Sequence, residues 1–327
     1  MATAPTTTLT RNIYDAFQRA ELDGWDGLIS PGVVVNSPAG YGLGGLAALK
    51  SFARQFTDLG YRIDLVDEHE ALDDAGKGRG FITVVLHWKH TKDFGGLVPT
   101  GREGTSVETL LLTVEGGQVT RIDVADHTLD LAIYEWDRNW PVPHDVRPEP
   151  LVEGIDLRAD RAVERLGPAS TPAMLTREFY EAFQRLELDR WDAVVSDDVL
   201  VNSPAGFGAR GLATLKEFVV GFTALRYRSD LVDEHLALDD DGNGRGFLTH
   251  TAYWKHTEEF AGLAPTGREG TLVETMLLTV EDHTVTRVDI ALNTLDLALY
   301  LWNRGFPVPH NIRPEPLVVG VDRRADR

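Results

Sequence analysis

The sequence predicts an α+β fold, present twice. Three observations carry this. Residues 11–161 align with 177–327 at a constant offset of 166 without a gap, and about two thirds of the paired positions are identical. Within each copy helical spacing comes first and strand-like alternation follows. The alternating runs are joined by short Gly- and Asp-rich turns, the composition of hairpins. Helices followed by antiparallel strands argue for helices on one face of a curved sheet, which can close around a pocket.

Each element has its own reason. In residues 10–22, Ile13, Phe17 and Ala20 fall at helical spacing, with Thr10 as the candidate cap. Trp25, Leu28 and Ile29 continue the apolar face. VVVNSPAG (33–40) reads as a short strand ending in a turn. Leu46, Leu49, Phe52 and Phe56 mark a second amphipathic helix. YRIDLVDEHEAL and GFITVVLHWKH flank the turn DDAGKG. GTSVETLLLTVE and QVTRIDVADH flank Gly116–Gly117. Helical spacing returns at 128–136. The prolines of PVPHDVRPEP, repeated as PVPHNIRPEP, exclude regular helix and central strand. That segment reads as an extended arm, lying on its own body or across to the other copy. Gly167, Pro168, Ser170, Thr171 and Pro172 mark a linker. The expected domains are therefore 1–161 and 174–327, with a linker at 162–173.

The 327 residues carry 51 acidic and 32 basic side chains, a formal charge of −19. A surface that acidic repels phosphate backbones and anionic lipid, so no nucleic-acid or membrane partner is expected. The chain has no cysteine, which excludes disulfides, thiolate metal sites and a cysteine nucleophile. No apolar run is long enough to span a bilayer. The start, MATAPTTTLT, lacks the basic and apolar regions of a secretory signal, so a cytoplasmic location is expected.

Several motifs weaken on inspection. GYGLGG (40–45) and GFGARG (206–211) fit G-x-G-x-x-G, but a dinucleotide site needs a parallel βαβ unit around it. DDDGNG (239–244) lacks calcium ligands at its first and twelfth positions, Ala237 and Leu248. His87 and His90 form H-x-x-H, but the second copy has Tyr253 in place of His87, so no metal is expected. Ser37 and Ser203 precede prolines in turns, and no G-x-S-x-G is present.

Polar groups on strand faces remain. Alternation sets Arg121, Asp123, Ala125 and His127 on one side and Thr120, Ile122, Val124 and Asp126 on the other. The second copy sets Arg287, Asp289, Ala291 and Asn293 against Thr286, Val288, Ile290 and Leu292. Glu108 and Glu274 share faces with apolar residues, where a carboxylate needs a partner or a raised pKa and so suits a general acid or base. Trp88 shares a face with His90, and Trp254 with His256: core packing or a pocket wall.

HTKDFGGLVPTGR (90–102), repeated as HTEEFAGLAPTGR (256–268), resembles a signature of the SnoaL-like polyketide cyclases, of the nuclear transport factor 2-like superfamily. The matching features are His90-Thr91, Phe94, Gly96-Leu97 and Pro99-Thr100-Gly101-Arg102. The resemblance covers about residues 10–137 and 176–303. It implies two tandem cone-shaped α+β barrels, each a strongly curved antiparallel sheet wrapped around helices, and a deep apolar pocket. It also implies ring closure or related chemistry without a cofactor, on a small, mostly apolar partner molecule. Relatives that pair sheet on sheet suggest an intramolecular pseudo-dimer, as a monomer or in a further homodimer.

The family's pattern is a tryptophan followed four residues later by a catalytic Asp on the last strand. Those positions here carry Asp123 then His127, and Asp289 then Asn293, so the Asp is expected to be replaced in both copies. An Asp123–His127 pair would give an acid/base near neutrality. The expected catalytic set is Asp123, His127, Glu108 and His90, with Asp289, Glu274 and His256 in the second copy. Asn36, Trp88, Asn202, Trp254 and Asn293 are the expected ligand-binding residues. The expected reaction is cyclisation, isomerisation, dehydration or epoxide hydrolysis. The alternative is a non-catalytic binding module made of two fused domains.

Overall fold

A computed structural model describes residues 8–158 and 174–324. The linker expected at 162–173 lies outside them. The chain forms two compact units, residues 1–141 with 310–327 and residues 142–309.

In the first unit α1 (Leu9–Gln18) opens the fold. Its cap is Thr8, whose hydroxyl accepts from the Arg11 N–H, and not Thr10, which is buried with its own N–H on Glu70. A 3-10 turn, Leu22–Trp25, follows. The Trp25 indole of that turn donates to the Ile13 carbonyl and locks the turn to α1. Then come β1 (Ile29–Ser37), β2 (Gly40–Gly44), α2 (Leu46–Leu59), β3 (Tyr61–Leu72), β4 (Gly78–Lys89), β5 (Glu103–Glu115), β6 (Gln118–Asp126) and α3 (Asp130–Trp136). The second unit repeats the order as α4 (Leu175–Arg185), β7 (Val195–Ser203), β8 (Gly206–Arg210), α5 (Leu212–Phe222), β9 (Tyr227–Leu238), β10 (Gly244–Lys255), β11 (Glu269–Glu281), β12 (Thr284–Leu292) and α6 (Asp296–Trp302).

The hairpins form where the turn chemistry places them. Asp73 and Asp239 side chains accept backbone N–H groups at the β3–β4 and β9–β10 turns. The second of these is the DDDGNG loop, so its acidic residues build a turn. GYGLGG and GFGARG supply β2 and β8, paired antiparallel with β1 and β7, and no βαβ unit surrounds them.

The expected cone-like barrel is corrected by the strand path. Within the first unit it runs β3-β4-β5-β6-β1-β2, and within the second β9-β10-β11-β12-β7-β8. The end strands of each path do not pair with one another, and the sheet neither closes nor curves strongly. It is also not antiparallel throughout. β1 runs parallel to β6 (Val34 opposite Arg121, Asn36 opposite Asp123), and β7 runs parallel to β12.

The outer edge of β3 is occupied by a segment from the end of the chain. Residues 317–323 lie along it, while His310 bonds Asp130 of α3 and the Ile312 carbonyl accepts from Thr105 of β5. Leu65 and Val318 exchange N–H···O=C bonds of 2.9 and 3.2 Å. On β9, Leu231 and Val152 do the same with the same lengths. Each arm therefore packs in the unit opposite to the repeat it follows in sequence. A glycine permits the close approach. A Cβ on Gly320 would stand 1.9 Å from the Ile63 carbonyl oxygen, and one on Gly154 1.7 Å from that of Ser229.

Candidate active site

Strand alternation decides which side chains face the helices. In the second unit, His250, Ala252 and Trp254 of β10, Glu274 and Met276 of β11, and Val288 and Ile290 of β12 share one face. Opposite them stand Phe179 and Phe183 of α4, Trp191, and Phe218 and Phe222 of α5. Between these walls lies a narrow cavity of about 30 Å³, so a small molecule would enter only as the aromatic side chains part.

Its wall is aromatic and aliphatic except at two groups. His250 and Glu274 are directly opposite across β10 and β11, with His250 Nε2 3.6 Å from Glu274 Oε1. That is within ion-pair reach and too long for a hydrogen bond. The His250 ring lies 5.5 Å from the Phe183 ring. Burial penalises both charged forms: it pushes Glu274 up to about 8 and His250 down to about 4. Near pH 7 the carboxyl keeps its proton while the imidazole is neutral and free to accept one. Two buried wall nitrogens, His250 Nδ1 and Trp254 Nε1, have no hydrogen-bond partner among the described residues. Buried polar atoms are rarely left so without a role.

The first unit differs at this place. The residue matching His250 is Val84, and Glu108 matches Glu274. Glu108 lies opposite Asp126 across β5 and β6. Glu135 of α3 acts on both, so three carboxyls share one interior. Burial raises all three. Glu108 and Glu135 raise Asp126 further, and Glu135 is pushed up to about 8. Among the described residues no cation pairs with any of them. The matching residues of the second unit are Leu292 and Leu301.

The other expected residues sit elsewhere. Asp123 accepts from Asn36 Nδ2 at 2.7 Å and pairs with Arg121 at 2.7 Å. Asp289 does the same with Asn202 and Arg287, at 2.7 and 2.6 Å. Asn36 and Asn202 also accept from Gly42 and Gly208, which ties the β1–β2 and β7–β8 turns to the sheet. His127 bonds Thr109 Oγ1 at 2.7 Å, and Asn293 accepts from Thr275 at 2.8 Å. These residues lie on the face of the sheet away from Glu108 and Glu274. Asp123 and His127 are also about 13 Å apart along the strand, too far for a direct pair. His90 and His256 reach the hydroxyls of Tyr134 and Tyr300 at 2.5 and 2.6 Å, and burial lowers both imidazoles. Trp88 stacks near Tyr134 and Trp254 near Tyr300, with ring centres 5.0 and 5.1 Å apart. Of the expected set, Glu274 and Trp254 line the cavity. His250, Asp126 and Glu135 were not among the expected residues. His250 is four residues before Trp254 on the same face, and Asp126 alternates with Ile122 and Val124, so both carried a signal.

Among the described residues no group of three or more side chains is placed to hold a metal ion, and no helix is long and apolar enough to cross a membrane. Residues 10–122 match the sequence profile of the SnoaL-like domain. No curated protein matches the chain. Among solved structures, a candidate polyketide cyclase of Xanthomonas campestris is 24% identical, over 39% of this chain and 92% of that one, with a TM-score of 0.33. AclR, a candidate hydroxylase of Streptomyces galilaeus, is 23% identical over 41% and 86%, with a TM-score of 0.32. TsrD of Streptomyces laurentii is 16% identical over 44% and 100%, with a TM-score of 0.33. The first repeat matches the SnoaL-like domain over residues 10–122, and the second repeat is a copy of the same fold.

Proposed function

We propose that the protein is an acid/base enzyme acting on a small, mostly apolar, oxygen-bearing molecule in the cavity of its second unit. The carrying observation is the neutral Glu274–His250 pair on an otherwise apolar wall. His250 takes a proton from a carbon or hydroxyl of the substrate. Glu274 delivers its own proton to the substrate oxygen, and a small side-chain rotation that closes the 3.6 Å gap lets His250 return its proton to Glu274. The Trp254 indole N–H supplies a fixed donor for the same oxygen. Proton transfers of this kind serve cyclisation, isomerisation, dehydration and epoxide opening, and need no cofactor.

In this reading the family's acidic position on the last strand falls at His127 and Asn293, and the proton chemistry moves across the sheet to Glu274. The net charge of −19 agrees with a small-molecule partner in place of a nucleic acid or an anionic membrane. A second reading, a binding module, draws on Val84: the first unit has the matching wall without the base.

Exchange of α-hydrogens of small cyclic ketones in D2O tests the proposal without knowledge of the natural substrate. Exchange by the native protein and its loss in Glu274→Gln are expected, by at least about a hundredfold. Ketones bound in the cavity without exchange would leave the binding module in its place.

A further inference from the structure

The histidine of the H-x-x-H pair that the second copy lacks stands where an arm docks. His87 is 5% exposed, with Nε2 2.9 Å from Asp64 Oδ2. Asp64 is itself buried. Its Oδ1 accepts the arm's Gly320 N–H at 2.9 Å, and Arg62 reaches Oδ2 at 2.9 Å. Arg62 Nη2 is also 3.1 Å from His87 Nε2. Arg324, in the same arm, is held by Asp322 at 2.6 Å and feels Glu103. So one carboxylate holds the arm, and the charged groups around His87 are Arg62, Asp64 and Arg324, with Asp322 and Glu103 behind the last.

The second unit is built alike except at this point. Asp230 accepts the Gly154 N–H at 2.8 Å and pairs with Arg228 at 2.6 Å. Tyr253 replaces His87. Arg147 and Arg158 of the docked arm and Arg228 of β9 lie 5.9, 5.4 and 4.5 Å from its ring centre. An aromatic ring attracts these guanidinium groups at any pH. A protonated imidazole in the same place repels them.

We propose that His87 makes residues 310–324 an acid-released strap, while the matching strap at 142–158 has no such trigger. Docked, His87 is held below the ordinary histidine range, first by burial, then by Arg62, and also by the arm's Arg324, with Asp64 pulling the other way. Release of the arm removes Arg324 and opens the site to water. The released state therefore binds the proton more readily, and docking weakens as the pH falls below about 6.5. Each arm has a second anchor with a histidine in it: His310 and the Asn311 N–H bond Asp130, and His144 bonds Asp296, which Arg268 also pairs.

Hydrogen–deuterium exchange of the whole chain tests this, between pH 7.5 and 5 with correction for intrinsic exchange. The bonded amides of Leu317, Val318, Gly320 and Arg323 are expected to lose protection by up to about tenfold per pH unit below about 6.5. Those of Leu151, Val152, Gly154 and Leu157 are expected to hold. His87→Tyr, a residue the other unit accepts at this register, is expected to abolish the loss. Tyr253→His is expected to transfer it to the other arm. Equal responses of the two arms, or an unchanged response in His87→Tyr, would overturn the proposal.

Discussion

The two units share a strand path, and their interiors differ in what they do with charge. Around Glu274 the second unit places one imidazole, Leu292 and Leu301. Around Glu108 the first places Val84, Asp126 and Glu135. A carboxyl beside a neutral base makes a proton relay. Three carboxyls without a base make a store of protons that destabilises the fold once it empties. The same backbone holds both, so the helix-facing layer of this sheet is where chemistry is free to diverge. The opposite layer keeps one cluster, since Asn36–Asp123–Arg121 and Asn202–Asp289–Arg287 are the same triad twice, and differs at His127 and Asn293.

The largest expected contrast is in proton exchange. Glu274→Gln should cost at least about a hundredfold, and Glu108→Gln less than about twofold. Similar losses in the two would remove the assignment of chemistry to one unit.

Stability should separate the units next. A carboxyl held above its ordinary value stabilises the folded state fully below about pH 4.5 and loses that contribution as the pH rises through its folded value. Glu135 stands at about 8 and Asp126 is raised as well, so urea unfolding of the native chain should show falling stability from pH 5 to 8. Replacing them by the other unit's residues, Asp126→Leu with Glu135→Leu, should add about 1–4 kcal/mol at pH 8 and flatten that slope. A native chain equally stable at both pH values would argue that the carboxyls have partners in solution.

The exchange activity should follow a bell-shaped pH profile. Its acid limb, near 4, comes from His250 losing its capacity to accept. Its alkaline limb, near 8, comes from Glu274 losing its proton. His250→Val, which installs the first unit's residue, should remove the acid limb along with most of the rate. A retained acid limb would assign it to another group.

The smallest effect concerns shape. Ala252 lines the cavity where the first unit has Leu86. Ala252→Leu should weaken ketone binding by about tenfold, read by titration calorimetry, with little change in fold stability. Unchanged binding would place the ligand elsewhere.

The sequence carried the repeat, the hairpins and the carboxyl on the apolar face, because alternation and turn chemistry are local. The parallel β1–β6 pairing is not local, since it joins strands separated by the whole hairpin run. His250 escaped for a different reason. His250 stands where the first copy carries Val84, so no polar pattern shared by the two copies marks it. Asp126 and Glu135 were hidden the same way by Leu292 and Leu301. The Asp123/His127 face stood out because it is polar, whereas the cavity faces the apolar layer.

The exchange of arms has an evolutionary reading. A tandem copy that merely sits beside its original can be lost by deletion with little harm. Here the first unit is completed by residues 310–324, which follow the second repeat, and the second unit by residues 142–158, which follow the core of the first. Losing either repeat would strip the survivor of its edge cover and leave a long bare strand open to wrong pairing. The duplication is thereby protected against reversal, and each body remains free to change its interior without becoming expendable.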